Sequence, residues 1–204
     1  MKKILVLLLA FALFSCNQKE VLLPEVDTTI VEKVENLSPI YIFFEVKGKD
    51  TIAELNRKNA ISSTNFIFNI DKRLPLKLVL PEVVKAVAKK DASAHKDSTS
   101  QNYYSYSNIK KKQLAFVPFT KMNYKLEKPK SGVNIYFSDG KIIIDTVEFK
   151  KEKFENYIEN LSVEDLYKCN FCFDKNDSYE NYIKNLVFIK SLEIKRTHTE
   201  EYIY

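Results

Sequence analysis

The stretch CNFCFDKNDSYENYIKNL, residues 169–186, changes its period part-way along. Its opening belongs to an aromatic run, YKCNFCF (167–173), of the kind that forms a buried strand. Asp174 to Ser178 then reads as a turn, with Ser178 placed to cap a helix. Beyond it Tyr179, Tyr182, Ile183 and Leu186 recur at the spacing of one helical face. Strand, turn and helix therefore follow one another without a break.

Working outward, VNIYFSDGKIIIDTV (133–147) places two apolar runs around Asp139-Gly140, the strongest short hairpin signal. Phe154, Tyr157, Ile158 and Leu161 predict an amphipathic helix, and SLEIKR (191–196) a closing strand. The second half reads β-β-α-β-α-β.

In the first half IYIFFEV (40–46), NFIFNI (65–70) and LAFVPF (114–119) read as strands, with Pro118 confining the last to an edge. DTIAELNRK (50–58) has helical spacing. Leu76, Val79, Leu80, Val83, Val84 and Val87 predict a second helix, which either begins at Pro81 or kinks there. Residues 91–113 read as a long polar loop. Within it Tyr103, Tyr104 and Tyr106 form the candidate binding loop, since tyrosines offer large amphipathic contact area. The alternative is a loop folded back on its own domain.

Superposing Asp71-Lys72 on Asp174-Lys175 also aligns Phe68 with Phe171, Ile70 with Phe173, Leu76 with Tyr179 and Leu80 with Ile183. Either the halves are weak repeats or the match is a coincidence of one strand–turn–helix. The fold class is α+β: one or two small mixed-sheet units with helices on one face. A first unit spans 39–124 and a second 133–204, joined through KLEKPKSG (125–132), a linker.

The N-terminus begins MKKILVLLLAFALFSC. Two lysines precede an apolar run, Ile4 to Phe14, too short for the ~20 residues a membrane helix needs. It reads as a signal peptide, 1–15. Leu13-Phe14-Ser15-Cys16 resembles a bacterial lipobox, which implies cleavage before Cys16 and lipidation of it; the alternative is an ordinary cleaved signal. Acyl chains on Cys16 would anchor the protein stably to a membrane. Residues 16–38 then read as a tether. Asn17 follows the cysteine, so the expected location is the outer membrane, facing the periplasm.

Composition excludes several classes. The 204 residues carry a formal charge of +5 with both signs interleaved and no dense basic tract, so no nucleic acid is expected as a partner. Only three glycines occur, too few for a phosphate-cradling loop. His95 and His198 are the only histidines, so no metal site and no cofactor are expected.

Three chemical candidates remain. On a strand, Cys169 and Cys172 point to opposite faces about 10 Å apart, whereas a disulfide needs α-carbons within roughly 7 Å. The pair reads as packing residues; a disulfide, or a metal or redox site, is the alternative. Asp71, Asp174 and Asp177 read as turn and cap residues rather than an acid–base pair. No Gly-x-Ser-x-Gly elbow and no Ser-x-x-Lys context of the penicillin-binding kind is present. The chain is not expected to be an enzyme.

NIYFSDGKIIID and FDKNDSYENYIKNLVFIKSLEIK resemble the periplasmic domain of the ExbD/TolR family, non-enzymatic partners of proton-driven motors in the bacterial envelope. NIDKRLPLKLVLPEVVKAV resembles the same segment a second time. The resemblance implies a small α+β fold, homodimerisation, and binding to an envelope protein partner or to peptidoglycan. One departure matters. The family's motor subunits carry an acidic residue in a membrane helix, and ILVLLLAFALF contains no carboxylate. A chain without one cannot supply the proton step. What the resemblance leaves is a recognition role, accessory to a TonB/Tol-type transport system. The alternatives are a structural peptidoglycan-binding lipoprotein and an envelope hydrolase.

Overall fold

A computed structural model describes residues 19–192 and 200–204. Cys16, the run before it and His198 lie outside these residues. So does most of the strand expected over 191–196; Ser191 is the last residue of a helix.

The elements are β1 (Glu25–Val26), β2 (Leu37–Lys47), β3 (Asp50–Asn56), β4 (Asn65–Ile70), α1 (Leu76–Asp91), β5 (Asn102–Asn108), β6 (Gln113–Pro118), β7 (Asn123–Lys125), β8 (Val133–Ser138), β9 (Lys141–Ile144), β10 (Val147–Phe149), α2 (Lys151–Glu159), α3 (Val163–Tyr167), β11 (Cys169–Phe173), α4 (Tyr179–Ser191) and β12 (Glu200–Ile203). They form two mixed six-stranded sheets in an α+β arrangement. One runs β1-β5-β4-β2-β3 with β6 also on β5; the other runs β10-β9-β8-β11-β12-β7.

Both sheets share one connectivity. A hairpin (β2–β3, β8–β9) is followed by a strand parallel to its first arm (β4, β11). A crossover helix (α1, α4) then leads to a further parallel strand (β5, β12). A short earlier strand (β1, β7) joins that last strand in parallel. The register preserves the alignment seen in sequence: Ile40 pairs with Phe68 as Ile135 pairs with Phe171, and Ile42 with Ile70 as Phe137 with Phe173.

The two copies meet about a local dyad where each turn enters its helix. Leu76 N donates to Asp177 O (3.0 Å) and Tyr179 N to Leu74 O (2.7 Å). Lys77 N donates to Lys175 O (2.8 Å) and Glu180 N to Lys72 O (3.2 Å). Each bond becomes its partner when the residues of the two copies, 103 positions apart, are exchanged. Around this dyad the inner sheet faces and helices form one hydrophobic cluster, including Phe68, Leu76, Val79 and Leu80 of one copy and Phe171, Tyr179, Tyr182 and Ile183 of the other.

The structure corrects three sequence readings. Residues 50–58 are not helical: Lys47-Gly48-Lys49-Asp50 forms a tight turn, with Gly48 at φ +64°, and folds β3 back antiparallel on β2. The polar loop 91–113 ends early, because 102–108 is β5, between β4 and β6. Tyr103, Tyr104 and Tyr106 therefore stand on a strand, not on a binding loop. Of the two readings of the helix over 76–91, the start at Pro81 is excluded: it starts at Leu76 and carries Pro81 inside it. The hairpin at Asp139-Gly140 forms as expected, both residues at positive φ. Ser178 caps α4 by accepting from Asn181 N (3.2 Å).

Candidate functional site

Strand alternation separates the three tyrosines. Tyr104 and Tyr106 point into the core and are fully buried; Tyr103 stands on the opposite face, half-buried. Tyr106 donates to Thr28 O (3.0 Å) and accepts from Ile30 N (3.0 Å). Tyr104 stacks on Phe119 with ring centroids 3.9 Å apart.

The Tyr104 hydroxyl starts a buried chain joining the sheets: 2.6 Å to Tyr124 Oη, then 3.4 Å to Tyr182 Oη, which donates to Glu201 Oε2 at 2.8 Å. Burial, reinforced by the Glu201 carboxylate, holds the hydroxyls of Tyr104, Tyr124 and Tyr182 well above the usual phenol range. Glu201 takes in the second sheet the place of Tyr104 in the first, since it pairs with Phe171 as Tyr104 pairs with Phe68. The chain has no cleft of its own. It ties the halves together.

The acidic candidates are structural. Asp71 accepts from Arg73 N, both sides of the Arg73 guanidinium fork and Leu22 N. Burial raises its pKa, but those donors outweigh that and hold the carboxyl below its ordinary value. Asp174 repeats the turn contact, accepting from Asn176 N (2.8 Å), and Asp177 accepts from Asp139 N (2.9 Å). Cys169 and Cys172 are buried thiols with no disulfide between them. Burial pushes the Cys172 thiol up to about 11, so it is not a nucleophile near neutrality. His95 lies in the exposed segment after α1. Among the described residues no group of three His, Cys, Asp or Glu could hold a metal ion.

What the structure brings together is the rim of β3. This strand pairs with β2 on one side, and among the described residues no strand pairs with its other side, an edge of the sheet. One shallow cleft of about 410 Å³ lies between β3 and α1, lined by Ile52, Ala53, Leu55, Arg57, Glu82 and Lys85 among others. A second, of about 380 Å³, continues it along Leu55, Asn56, Arg57, Lys58 and Lys89. In the other sheet the equivalent strand, β9, is covered. The chain turns at Asp145-Thr146 and lays β10 antiparallel along it, Val147 on Ile144 and Phe149 on Ile142. Helix α2 then seats Phe154 against Phe137 of β8 and Phe188 of α4. The first copy has only residues 57–64 at this point, and α1 presents Lys85 where α4 presents Phe188. Sequence reasoning missed this edge because it read 50–58 as a helix.

A separate cleft of about 680 Å³ on the second sheet is lined by Lys125, Lys128, Lys130, Lys168, Tyr167 and Tyr202, with Glu127 and Glu200. Lys125 pairs with Glu200 (3.5 Å), Lys168 with Glu164 (3.1 Å), and Lys128 sits over the Tyr204 ring.

No family model matches this chain, and neither a curated protein nor a solved structure matches it.

Proposed function

We propose that this chain is a lipid-anchored protein of the cell envelope, held in the outer membrane and facing the periplasm. It is a non-catalytic module that binds a partner polypeptide, accessory to a transport system of the TonB/Tol type. The anchor rests on the apolar run Ile4–Phe14 and the lipobox-like Leu13-Phe14-Ser15-Cys16. The binding role rests on one observation: among the described residues no strand pairs with the β3 edge where the second copy of the same fold carries β10. An exposed edge strand is a template for a further strand, whose main-chain hydrogen bonds give affinity while pockets select side chains. Ala53 and Leu55 offer an apolar seat with a rim of both signs: Arg57, Lys85 and Lys89 on one hand, Glu54 and Glu82 on the other, with Glu82 paired to Lys85. The partner segment suited to it is extended, alternating apolar and charged residues, as Val147-Glu148-Phe149 does on β9. The local dyad supplies within one chain the pairing that a homodimer supplies between two.

The test is a photo-crosslinking residue at Thr51 of the full-length lipoprotein in cells, with Ala53→Lys as a companion change that charges the edge. An adduct to an envelope protein that disappears in the Ala53→Lys background is expected. An adduct indifferent to that change, or none, refutes the assignment.

The lysine- and tyrosine-lined cleft of the second sheet favours a second reading, a structural lipoprotein holding peptidoglycan, whose peptide carboxylates suit the lysines and whose sugars suit the tyrosine rings. On that reading the protein co-sediments with purified sacculi, and Lys128→Glu with Lys130→Glu abolishes it.

A further inference from the structure

On the outer face of the first sheet Ile67, Ser105, Phe43 and Phe116 are buried among their neighbours, while Leu37, Tyr41 and Leu114 stand exposed. The register sets Pro39, Ile67, Tyr103 and Pro118 side by side across β2, β4, β5 and β6. The next row carries Tyr41, Asn69, Ser105 and Phe116. Ser105 closes its polar groups inward by donating to Asn69 Oδ1 (2.8 Å) and Phe68 O (3.1 Å). Leu37 and Leu114 flank the rows, 45% and 51% exposed, and Tyr41 is 38% exposed. Helix α1 packs on the opposite face, with Leu76, Val79, Leu80 and Val83 buried, so it covers none of this one. Large exposed apolar residues gathered on one face mark a contact surface rather than ordinary scatter.

The chain itself says what lies against that surface. Lys19 bonds to Glu45 and Glu54 and lies over the Phe43 ring, on this same outer face. From there the backbone is fastened: Leu22 N donates to Asp71 Oδ2, Leu22 O accepts from Lys72 N, and Pro24 O accepts from Ser107 N. Only Asn17 and Gln18 stand between Cys16 and Lys19 in the sequence. Three residues reach at most about 11 Å. A lipid on Cys16 would enter the bilayer within that distance of Lys19, Tyr41 and Phe43. The cleft beside Lys19, lined by Val21, Tyr41, Phe43, Glu54, Asn56 and Lys58, holds lysine and tyrosine side chains of the kind that settle at a headgroup layer, with Glu54 paired to Lys19.

We propose that the anchored protein lies with the outer face of its first sheet, the Pro39–Ile67–Tyr103–Pro118 row and Tyr41, against the lipid headgroups. This rests on the lipidation of Cys16. The β3 edge then opens parallel to the membrane and close to it, so the strand it takes up comes from a membrane-proximal segment of its partner.

The test uses the mature lipoprotein in vesicles of phosphatidylethanolamine and phosphatidylglycerol, with a fluorophore on Leu37→Cys or, as the comparison, on Val163→Cys of α3. Native Cys169 and Cys172 are buried and stay unlabelled. Headgroup-level nitroxide lipids are expected to quench the label at 37 at least about threefold more than the label at 163. A flexible insert of about 20 residues between Gln18 and Lys19, reaching some 25 Å, is expected to erase the difference. Equal quenching without the insert, or stronger quenching at 163, overturns the orientation. A mass without acyl chains on Cys16 overturns the anchor itself, and the two failures are told apart by that mass.

Discussion

The side chains that hold the two sheets to each other are polar, and their effect lies in satisfied hydroxyls. One order of donation, Tyr104 to Tyr124, Tyr124 to Tyr182 and Tyr182 to Glu201, satisfies all three phenols. Tyr182→Phe removes the hydroxyl that donates to a buried carboxylate, and should cost about 2 kcal/mol in urea unfolding, since hydrogen bonds to charged groups are the stronger class. Tyr103→Phe, at a half-buried hydroxyl bonded only to Gln101, should stay within about 0.5 kcal/mol of wild type. Lys90 is a buried charge of the opposite sign to Glu201 and Asp71. Its ammonium donates to Gln101 O and Asn102 Oδ1 over the Phe66 ring, and burial lowers its pKa to about 8. The unfolded lysine keeps its proton up to about 10.4. Between those values the unfolded state binds more protons, so stability rises with pH from about 8. The raised Cys172 thiol and buried phenols act in the opposite direction, so the Lys90 contribution is read from the difference between wild type and Lys90→Met: the wild-type urea midpoint should gain on that of Lys90→Met from pH 7.5 to pH 9.5. A difference that falls or stays flat would contradict the burial of a charged lysine.

At the level of elements, the second copy is closed by a turn its sequence does not favour. Asp145 and Thr146 both take positive φ, at 46° and 74°, to lead β9 into β10. A β-branched residue there carries strain of about 1 kcal/mol or more, which glycine avoids. Thr146→Gly should raise the unfolding free energy by roughly that amount, read from the urea midpoint at unchanged slope. Its neighbour Asp139-Gly140 shows the contrast. There the sequence carries the turn residues the geometry needs, and the hairpin was legible. The strand–turn–helix at 169–186 was legible too, through Ser178 and the apolar spacing of α4. β3 was hidden because every residue after Asp50 is half-buried, which leaves no alternation between faces. β5 was hidden by composition: NYYSYSN reads as a loop, yet its hydroxyls find partners within the sheets. The candidate edge is the misread β3 itself, so it emerged only with the pairing.

For the whole molecule, the dyad decides whether the halves are two domains or one folding unit. Four backbone hydrogen bonds cross it, but the larger contribution is apolar: Leu74 and Leu76 of one copy and Tyr179 of the other are fully buried in a single cluster that spans both sheets. A core shared in this way makes each half's stability conditional on the other, and unfolding should be one transition with calorimetric and van't Hoff enthalpies equal. Leu74→Ala is the sharper test. It keeps the backbone bonds and removes about 3 kcal/mol of buried packing at the dyad. Native-state hydrogen exchange should then show the slowest amides of β4 and of β11 losing protection by the same free energy, although Leu74 belongs to the first copy alone. If β4 loosens while β11 keeps its protection, the halves open independently, and the dyad is a contact between two domains rather than the centre of one.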